Sequence, residues 1–246
     1  MSLIPLVTAA AMRLMTYNVN YGNPDFESAL DAIATTDADV VLLQEITESW
    51  KTALTRRFKK QYPHMAFHVD RRSAGGLAVL SKTAIEANDV WTPPAGGYFP
   101  AGRLVIATAI GSVQILHVHL RPNIDNGNWI VGYQTTPPIR RREIETYWGK
   151  IDAQLPTIVA GDFNELPTGK AVEFLASKGL DRVVTKGPTT WHYEKVIDGK
   201  PQSLLSMDID HVVVDKSFTA AKAEVLAAGA SDHRPVVVTL QRAVNR

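Results

Sequence analysis

Short apolar runs that stop abruptly on a polar side chain constrain this chain more than any other feature. VVLLQ (Val40–Gln44) runs straight into Glu45, and TIVAG (Thr157–Gly161) into Asp162. ILHVHL carries His119, Asp210 opens the run DHVVV, and Asp232 and His233 stand just before RPVVV. Asn18 sits near the end of the run that starts at Arg13. Runs this short are the length of buried strands rather than helices. A strand that is apolar on both faces must lie between layers, which points to a layered α/β protein. In sheets of α/β proteins, polar residues at strand ends converge on one edge.

Helical spacing appears at Phe26–Ile33, Ser49–Tyr62, Ile139–Ile151 and Gly169–Lys178, the last with Gly179 as its C-cap. Further strands are expected at Arg13–Val19, Leu77–Ser81, Arg103–Ala109, Val113–Leu120, Ile209–Val214 and Pro235–Leu240. Gly111-Ser112 reads as a tight hairpin turn. Strand–strand hairpins interrupt the helix–strand alternation, so the sheets are at least partly antiparallel. Trp91–Gly102 and Arg121–Pro138 read as long irregular stretches, and loops of that length in a compact domain are usually functional.

There is no internal repeat or linker-like shift in composition, so residues 13–246 read as one domain and 1–12 as an N-terminal extension. Ser2–Ala11 is apolar and ends in small residues, but no Lys or Arg precedes it. It is read as a tail, or as sequence upstream of a natural start at Met12, in preference to a signal peptide. The expectation is a cytoplasmic monomer, with export as the alternative. No apolar run reaches the ~18 residues that span a bilayer, and no strongly hydrophobic hairpin stands out for membrane insertion. The 246 residues include no Cys, which excludes thiolate nucleophiles and Cys-based zinc sites. Lys plus Arg is 26 against 25 for Asp plus Glu, a balance that argues against a chain living by non-specific polyanion binding.

Taken singly, an Asp or Asn after a strand is a turn former or helix cap, and a His in an apolar strand is a hydrogen-bonded core residue. Together, these carboxylates, amides and imidazoles match the needs of a hard divalent cation and a phosphate ester. The segments TYNVN (Thr16–Asn20), LLQE (Leu42–Glu45), HVHL (His117–Leu120), GDFN (Gly161–Asn164), IDHV (Ile209–Val212) and SDHRPV (Ser231–Val236) occur in this order. The chain thereby resembles the endonuclease/exonuclease/phosphatase superfamily from Met12 to Leu240.

The resemblance implies an α/β fold: a four-layer α/β/β/α sandwich of two packed mixed β-sheets with helices on both outer faces. It implies a divalent-metal-dependent phosphoesterase (a phosphoric ester hydrolase) that uses one or two Mg²⁺ or Mn²⁺ ions. Glu45 would be the principal metal ligand, with Asn18 and Asp232 beside the metal. Asp162 would orient or deprotonate the attacking water, and Asn164 and Asn18 would hold phosphate oxygens. His233 would contact the phosphoryl group with Asp210 fixing its tautomer, and His119 would be the second histidine. Many relatives place an acidic partner for that histidine in the loop before LAVLS. Here the loop reads Arg71-Arg72-Ser73-Ala74-Gly75-Gly76 and supplies no carboxylate.

A phosphodiester of a small or modest organic substrate is the first expectation for what the enzyme cleaves, with monoesters and triesters as side activities. It rests on the balanced charge and on loop aromatics that could line the site: Tyr98, Trp129, Tyr133, Trp191 and His192. The alternative is an endo- or exonuclease on DNA or RNA, using Arg140–Arg142 and the cluster Arg56, Arg57, Lys59 and Lys60. A catalytically silent binding module is disfavoured, because no residue of the six segments is replaced.

Overall fold

The computed structural model describes residues 10–70, 74–197 and 199–243. Residues 1–9, most of the expected extension, lie outside that set. In chain order the first half comprises β1 (Ala11–Asn18), α1 (Phe26–Thr36), β2 (Val40–Gln44), α2 (Glu48–Phe58), β3 (His64–His68), β4 (Leu77–Ser81), β5 (Ile85–Trp91), β6 (Ala101–Thr108) and β7 (Gly111–His119). Then come α3 (Trp129–Thr135), α4 (Pro137–Trp148), β8 (Thr157–Asp162), α5 (Lys170–Ser177), β9 (Asp181–Arg182), β10 (Trp191–Ile197), β11 (Lys200–Met207), β12 (Asp210–Val214), β13 (Phe218–Val225) and β14 (Val236–Arg242). One six-stranded sheet has the order β13-β14-β1-β2-β4-β3 and the other β5-β6-β7-β8-β12-β9; β10 and β11 form a separate hairpin. Both large sheets are mixed: β1–β2 and β7–β8 are parallel, and their neighbours β14 and β12 run antiparallel.

The two-residue period of each strand sorts its side chains into layers. Met12 and Leu14 of β1, Val40 and Leu42 of β2, Val113 and Ile115 of β7, and Ile158 and Ala160 of β8 meet between the sheets. Their alternates Met15, Tyr17, Val41 and Leu43 face α1 and α2, packing on Leu30, Ile33, Trp50 and Leu54. Leu116, Val118 and Val159 face Ile144 and Tyr147 of α4 and Phe174 and Leu175 of α5. This is the expected four-layer sandwich. Two side-chain caps fix where the first helices start: Asp25 accepts from Ser28 N, and Thr47 from Trp50 N.

Several boundaries differ from expectation. β1 begins at Ala11, where Ala11 and Met12 pair with Gln241 and Leu240, so these residues belong to the sheet and not to an extension. The β6–β7 turn falls on Ala109-Ile110, because Thr108 pairs with Gly111. The stretch after Arg121 is not irregular throughout: it holds α3, capped by Asn128 accepting from Ile130 N and Val131 N. No helix of the described residues is long and apolar enough to cross a membrane. The β10–β11 hairpin does, however, expose Tyr193, Val196, Ile197, Leu204 and Leu205. Interleaved Glu194, Lys195 and Gln202 hide this apolar hairpin from a reading based on runs.

One polar row crosses the apolar space between the sheets. Gln44 Nε2 donates to Thr16 Oγ1 at 3.1 Å and meets His117 Nε2 at 2.6 Å, linking β2 to β7. Donation by the amide makes that ring nitrogen an acceptor, so the proton of the neutral ring sits on Nδ1. Burial pushes the His117 pKa down to about 3. The unfolded chain takes up this proton near pH 6.5, whereas the folded chain refuses it until about pH 3. His117 therefore costs stability as pH falls through that window. His117→Gln is expected to be less stable than wild type at pH 7 but to lose less between pH 7 and 4.5. Urea midpoints at the two pH values check this, and parallel declines in both proteins would refute it.

Candidate active site

The topology brings the polar strand ends together. The C-terminal ends of β1, β2, β7 and β8 and the N-terminal ends of β12 and β14 open at one edge of the sandwich. Asn18, Glu45, His119, Asp162 and Asp210 arrive there from five strands, and Asp232 and His233 from the segment before β14. Ser231 ties that segment down: its Oγ donates to Asn18 O at 2.7 Å and accepts from His233 N at 3.1 Å.

Asn18 is the hinge of the cluster. Its Nδ2 donates to Glu45 Oε1 at 3.0 Å and to Asp162 Oδ2 at 3.1 Å, joining carboxylates from different sheets. Its Oδ1 accepts from Asn20 N at 3.0 Å, which fixes the amide's orientation. Asn18 thus presents hydrogens, not oxygen, to the site. Glu45 also accepts from Tyr21 N at 2.9 Å, so each carboxylate oxygen keeps a lone pair for a further partner. Burial raises its pKa. Glu45 stands at φ 67°, a left-handed conformation that is costly for a non-glycine residue and turns the chain sharply out of β2. Ile46 N then donates to Gly76 O at 3.1 Å. A Cβ on Gly76 would lie 1.9 Å from Ile46 O, so only glycine permits this approach.

Asp162 is buried and faced by two imidazoles, His119 Nε2 at 3.5 Å and His233 Nε2 at 3.7 Å from Oδ2. Its other oxygen accepts from Asn164 N at 2.8 Å. Burial pushes its pKa up to about 7, with His233 opposing. His233 Nδ1 lies 2.9 Å from Asp210 Oδ2. Burial favours the neutral His233 ring, but Asp210 and Asp162 overcome this and raise its pKa. His119 goes the other way, down to about 3, chiefly through burial. Phe99 stacks on it at 4.0 Å with the rings 25° apart. The Ala74 backbone opposes that shift, and Nδ1 completes no hydrogen bond of ordinary geometry among the described residues.

Asp232 accepts from Asn20 Nδ2 at 2.8 Å and from Trp191 Nε1 at 3.0 Å. His192 N donates to Asp232 O at 2.9 Å, so both Trp191 and His192 reach the site at the base of the hairpin. Asn164 Nδ2 donates to Leu120 O, and Asn164 O accepts from Asn123 Nδ2 at 2.9 Å. Beyond it lies a cleft of roughly 190 Å³ whose walls include Tyr133, Leu166, Lys170 and Met207. Tyr98 joins the site through Phe99. Trp129 opens α3, is 64% exposed, and makes no ring contact or hydrogen bond to the cluster among the described residues. Phe99, beside Tyr98 in the first long connection, joins the site by stacking on His119, and Asn20 and Ser231, which lie in TYNVN and SDHRPV, belong to it without having been assigned a role. Asn20 lies past the end of β1 at φ 59°, so strand alternation does not place it; its side chain reaches the site by donating to Asp232.

Four carboxylates gather here against one charge-partnered imidazole, an imbalance that a divalent cation would relieve. The ligand atoms of Asp162, Asp210 and His233 lie within 4.8 Å of one another. His233 is already engaged with Asp210, which leaves Glu45, with its free lone pairs, as the better hard-oxygen ligand. The basic clusters are partly tied up within the protein, although Arg56, Lys59 and Lys60 stay exposed. Arg140 is buried against Glu165 at 3.1 Å, Arg141 pairs with Glu145, Arg142 donates to Ala95 O, and Arg57 pairs with Asp31 at 2.7 Å.

The model of the endonuclease/exonuclease/phosphatase family matches residues 15–233, and the chain belongs to that family. Its members are mostly hydrolases acting on phosphoester bonds and generally use divalent metal ions. Among solved structures, an endonuclease/exonuclease/phosphatase of Beutenbergia cavernae is 20% identical, with TM-score 0.70, over 95% of this chain and 72% of that one. A family protein of Bacteroides thetaiotaomicron is 15% identical, with TM-score 0.72, over 96% and 100%. The human Nocturnin catalytic domain with bound sulfate is 16% identical, with TM-score 0.67, over 96% of each chain. No curated protein matches the sequence.

Gly161, immediately before Asp162, has φ 145°, and a Cβ there would lie 1.9 Å from Val118 O. Gly161→Ala is expected to cost at least about 2 kcal/mol, because the colliding atom is backbone of the paired strand β7. A denaturation midpoint equal to wild type would show that β7 and β8 separate more readily than their pairing implies.

Proposed function

We propose that this protein is a divalent-metal-dependent phosphodiesterase acting on small or modest organic phosphodiesters by attack of an activated water. The observation that carries the reading is the environment of Asp162: a buried carboxylate with a raised pKa, held by the Asn18 amide and faced by two imidazoles. A base near neutrality takes a proton from water most effectively at physiological pH. In this reading Asp162 removes the water's proton. The second N–H of the Asn164 amide orients the phosphate, Asn18 holds Glu45 and Asp162 in place with both of its amide hydrogens, and His233, kept protonated by Asp210, donates a hydrogen bond to a phosphoryl oxygen. His119, held neutral by burial, faces the same Asp162 oxygen as His233. Glu45 would hold the metal with Asp232 nearby, and the bound ion would supply charge neutralisation at the phosphate.

Two features support a small substrate over a nucleic acid polymer. Arg140, the first arginine of the α4 cluster, is withdrawn into a buried ion pair with Glu165. The rim instead exposes aromatic rings at Tyr21, Tyr98 and Tyr133.

Asp162→Ala is expected to lower kcat by more than about 10²-fold. Bis(4-nitrophenyl) phosphate hydrolysis by metal-stripped protein, with Mg²⁺ or Mn²⁺ added back, tests the whole reading. Activity should return with metal in wild type and not in Glu45→Gln. Full activity without metal, or in a folded Asp162→Ala protein, would overturn these assignments.

A further inference from the structure

Arg121 follows the short run that ends β7 and lies at the rim of the site. It is 6% exposed, yet its guanidinium reaches both long connections. Nη1 donates to Gly96 O at 2.6 Å in the β5–β6 connection, and Nη2 to Ile124 O at 3.1 Å in the segment leading to α3. Nη2 also lies 3.7 Å from Asp125 Oδ1. The backbone of Arg121 is fixed in turn: its N–H donates to Glu143 Oε2, and its carbonyl accepts from Arg140 Nη1. With Nη1 and Nη2 bonded to the two connections and Nε left without a hydrogen-bond partner among the described residues, the guanidinium stands over the Tyr98 ring, Cζ being 3.5 Å from its centroid.

Tyr98 remains 50% exposed. Its ring meets Phe99 edge-on at 6.0 Å, and Phe99 stacks on His119, the imidazole 3.5 Å from Asp162. A continuous aromatic path therefore runs from solvent to the centre of the site. An exposed tyrosine ordinarily samples several rotamers, and a ligand that stacks on it must first order it. Here one face is already covered by a fixed cation, so that ordering cost is met in the free protein.

We propose that Arg121 is a specificity-determining positioning residue, which holds Tyr98 as a fixed stacking platform for a planar aromatic group on the phosphate ester. The proposal rests on the phosphoesterase reading and narrows its substrates to esters of aromatic or heteroaromatic alcohols, or esters bearing such rings close to the phosphate.

The test is competitive inhibition of metal-loaded enzyme by phenyl phosphate and methyl phosphate, which share a phosphate head and differ in the ring. Wild type should bind phenyl phosphate at least ~5-fold more tightly, the increment expected of one ordered ring–ring contact. In Tyr98→Ala and Arg121→Met the ratio should collapse to within about twofold, through phenyl phosphate alone. Tyr98→Phe, which retains the ring, should keep it. Melting temperatures establish that each variant is folded, and Arg121→Lys replaces Arg121→Met if the latter is not, because an ammonium cannot bond Gly96 and Ile124 while lying flat on a ring. A preserved ratio in the Arg121 variant, or equal weakening of both inhibitors, overturns the platform. If wild type shows no metal-restored hydrolysis of bis(4-nitrophenyl) phosphate to inhibit, the phosphoesterase reading fails; if it hydrolyses that ester but phenyl phosphate does not compete, the platform alone is overturned.

Discussion

A single amide hydrogen-bonds across the junction of the two sheets, and the geometry of the site depends on it. Asn18 donates to Glu45 on its own sheet and to Asp162 on the other. Buried carboxylates repel one another, and nothing in the apolar packing between the sheets would hold two of them close. A donor shared between them offsets part of that repulsion and fixes their spacing at the same time. The donor is itself over-determined, with its oxygen on Asn20 N and its own carbonyl on Ser231. The Thr16–Gln44–His117 row lies one pleat further into the sandwich, on the same strands, and keeps β2 and β7 in fixed relation. Polar contacts of this kind add little net stability, but they forbid the sliding that an apolar interface alone would tolerate.

Local strain is concentrated at the same edge. Asn20, Glu45 and Asn164 all have positive φ. Each is a point where the chain leaves a strand and must deliver a side chain or backbone group sideways into the cluster. Asparagine tolerates this conformation through its short polar side chain, but glutamate has no such excuse. Glu45 is held there by Tyr21 N and Asn18 on its carboxylate and by the Ile46–Gly76 backbone bond behind it.

The architecture was legible in the sequence because the central strands are short and apolar and end on polar residues. Val40–Gln44 and Leu77–Ser81 have the expected limits, and the polar residues at the strand ends, Asn18, Glu45, Asp162, Asp210 and His233 among them, lie together at one edge. Strands with mixed polarity were not legible. β3, β5, β10, β11 and β13 are edge or hairpin strands whose alternation is broken by charge or by bulges such as those at Tyr193/Glu194 and Ala220/Lys222. The arginines of α4 read as a solvated face or a polyanion contact, yet Arg140 is buried. Its burial follows from Glu165, which caps α5 through Ala171 N and Val172 N and needs a cation behind it. Pairings that distant in sequence leave no local trace. The orientation of Asn18 was equally hidden, since it depends on the path of the two residues that follow.

The Trp191 indole gives the protein a built-in optical gauge. Its N–H ends on Asp232, and its backbone bridges to His233, so the ring shares the local field of the cluster. Indole emission responds to nearby charge, and a cation or phosphate arriving beside Asp232 changes that charge within one hydrogen bond of the ring. Because Trp191 also begins the hairpin, its emission registers events at the reactive centre and displacements of the apolar strands outside it. Four other tryptophans emit as well, so the part of the signal lost in Trp191→Phe is the part that follows occupancy and hairpin movement.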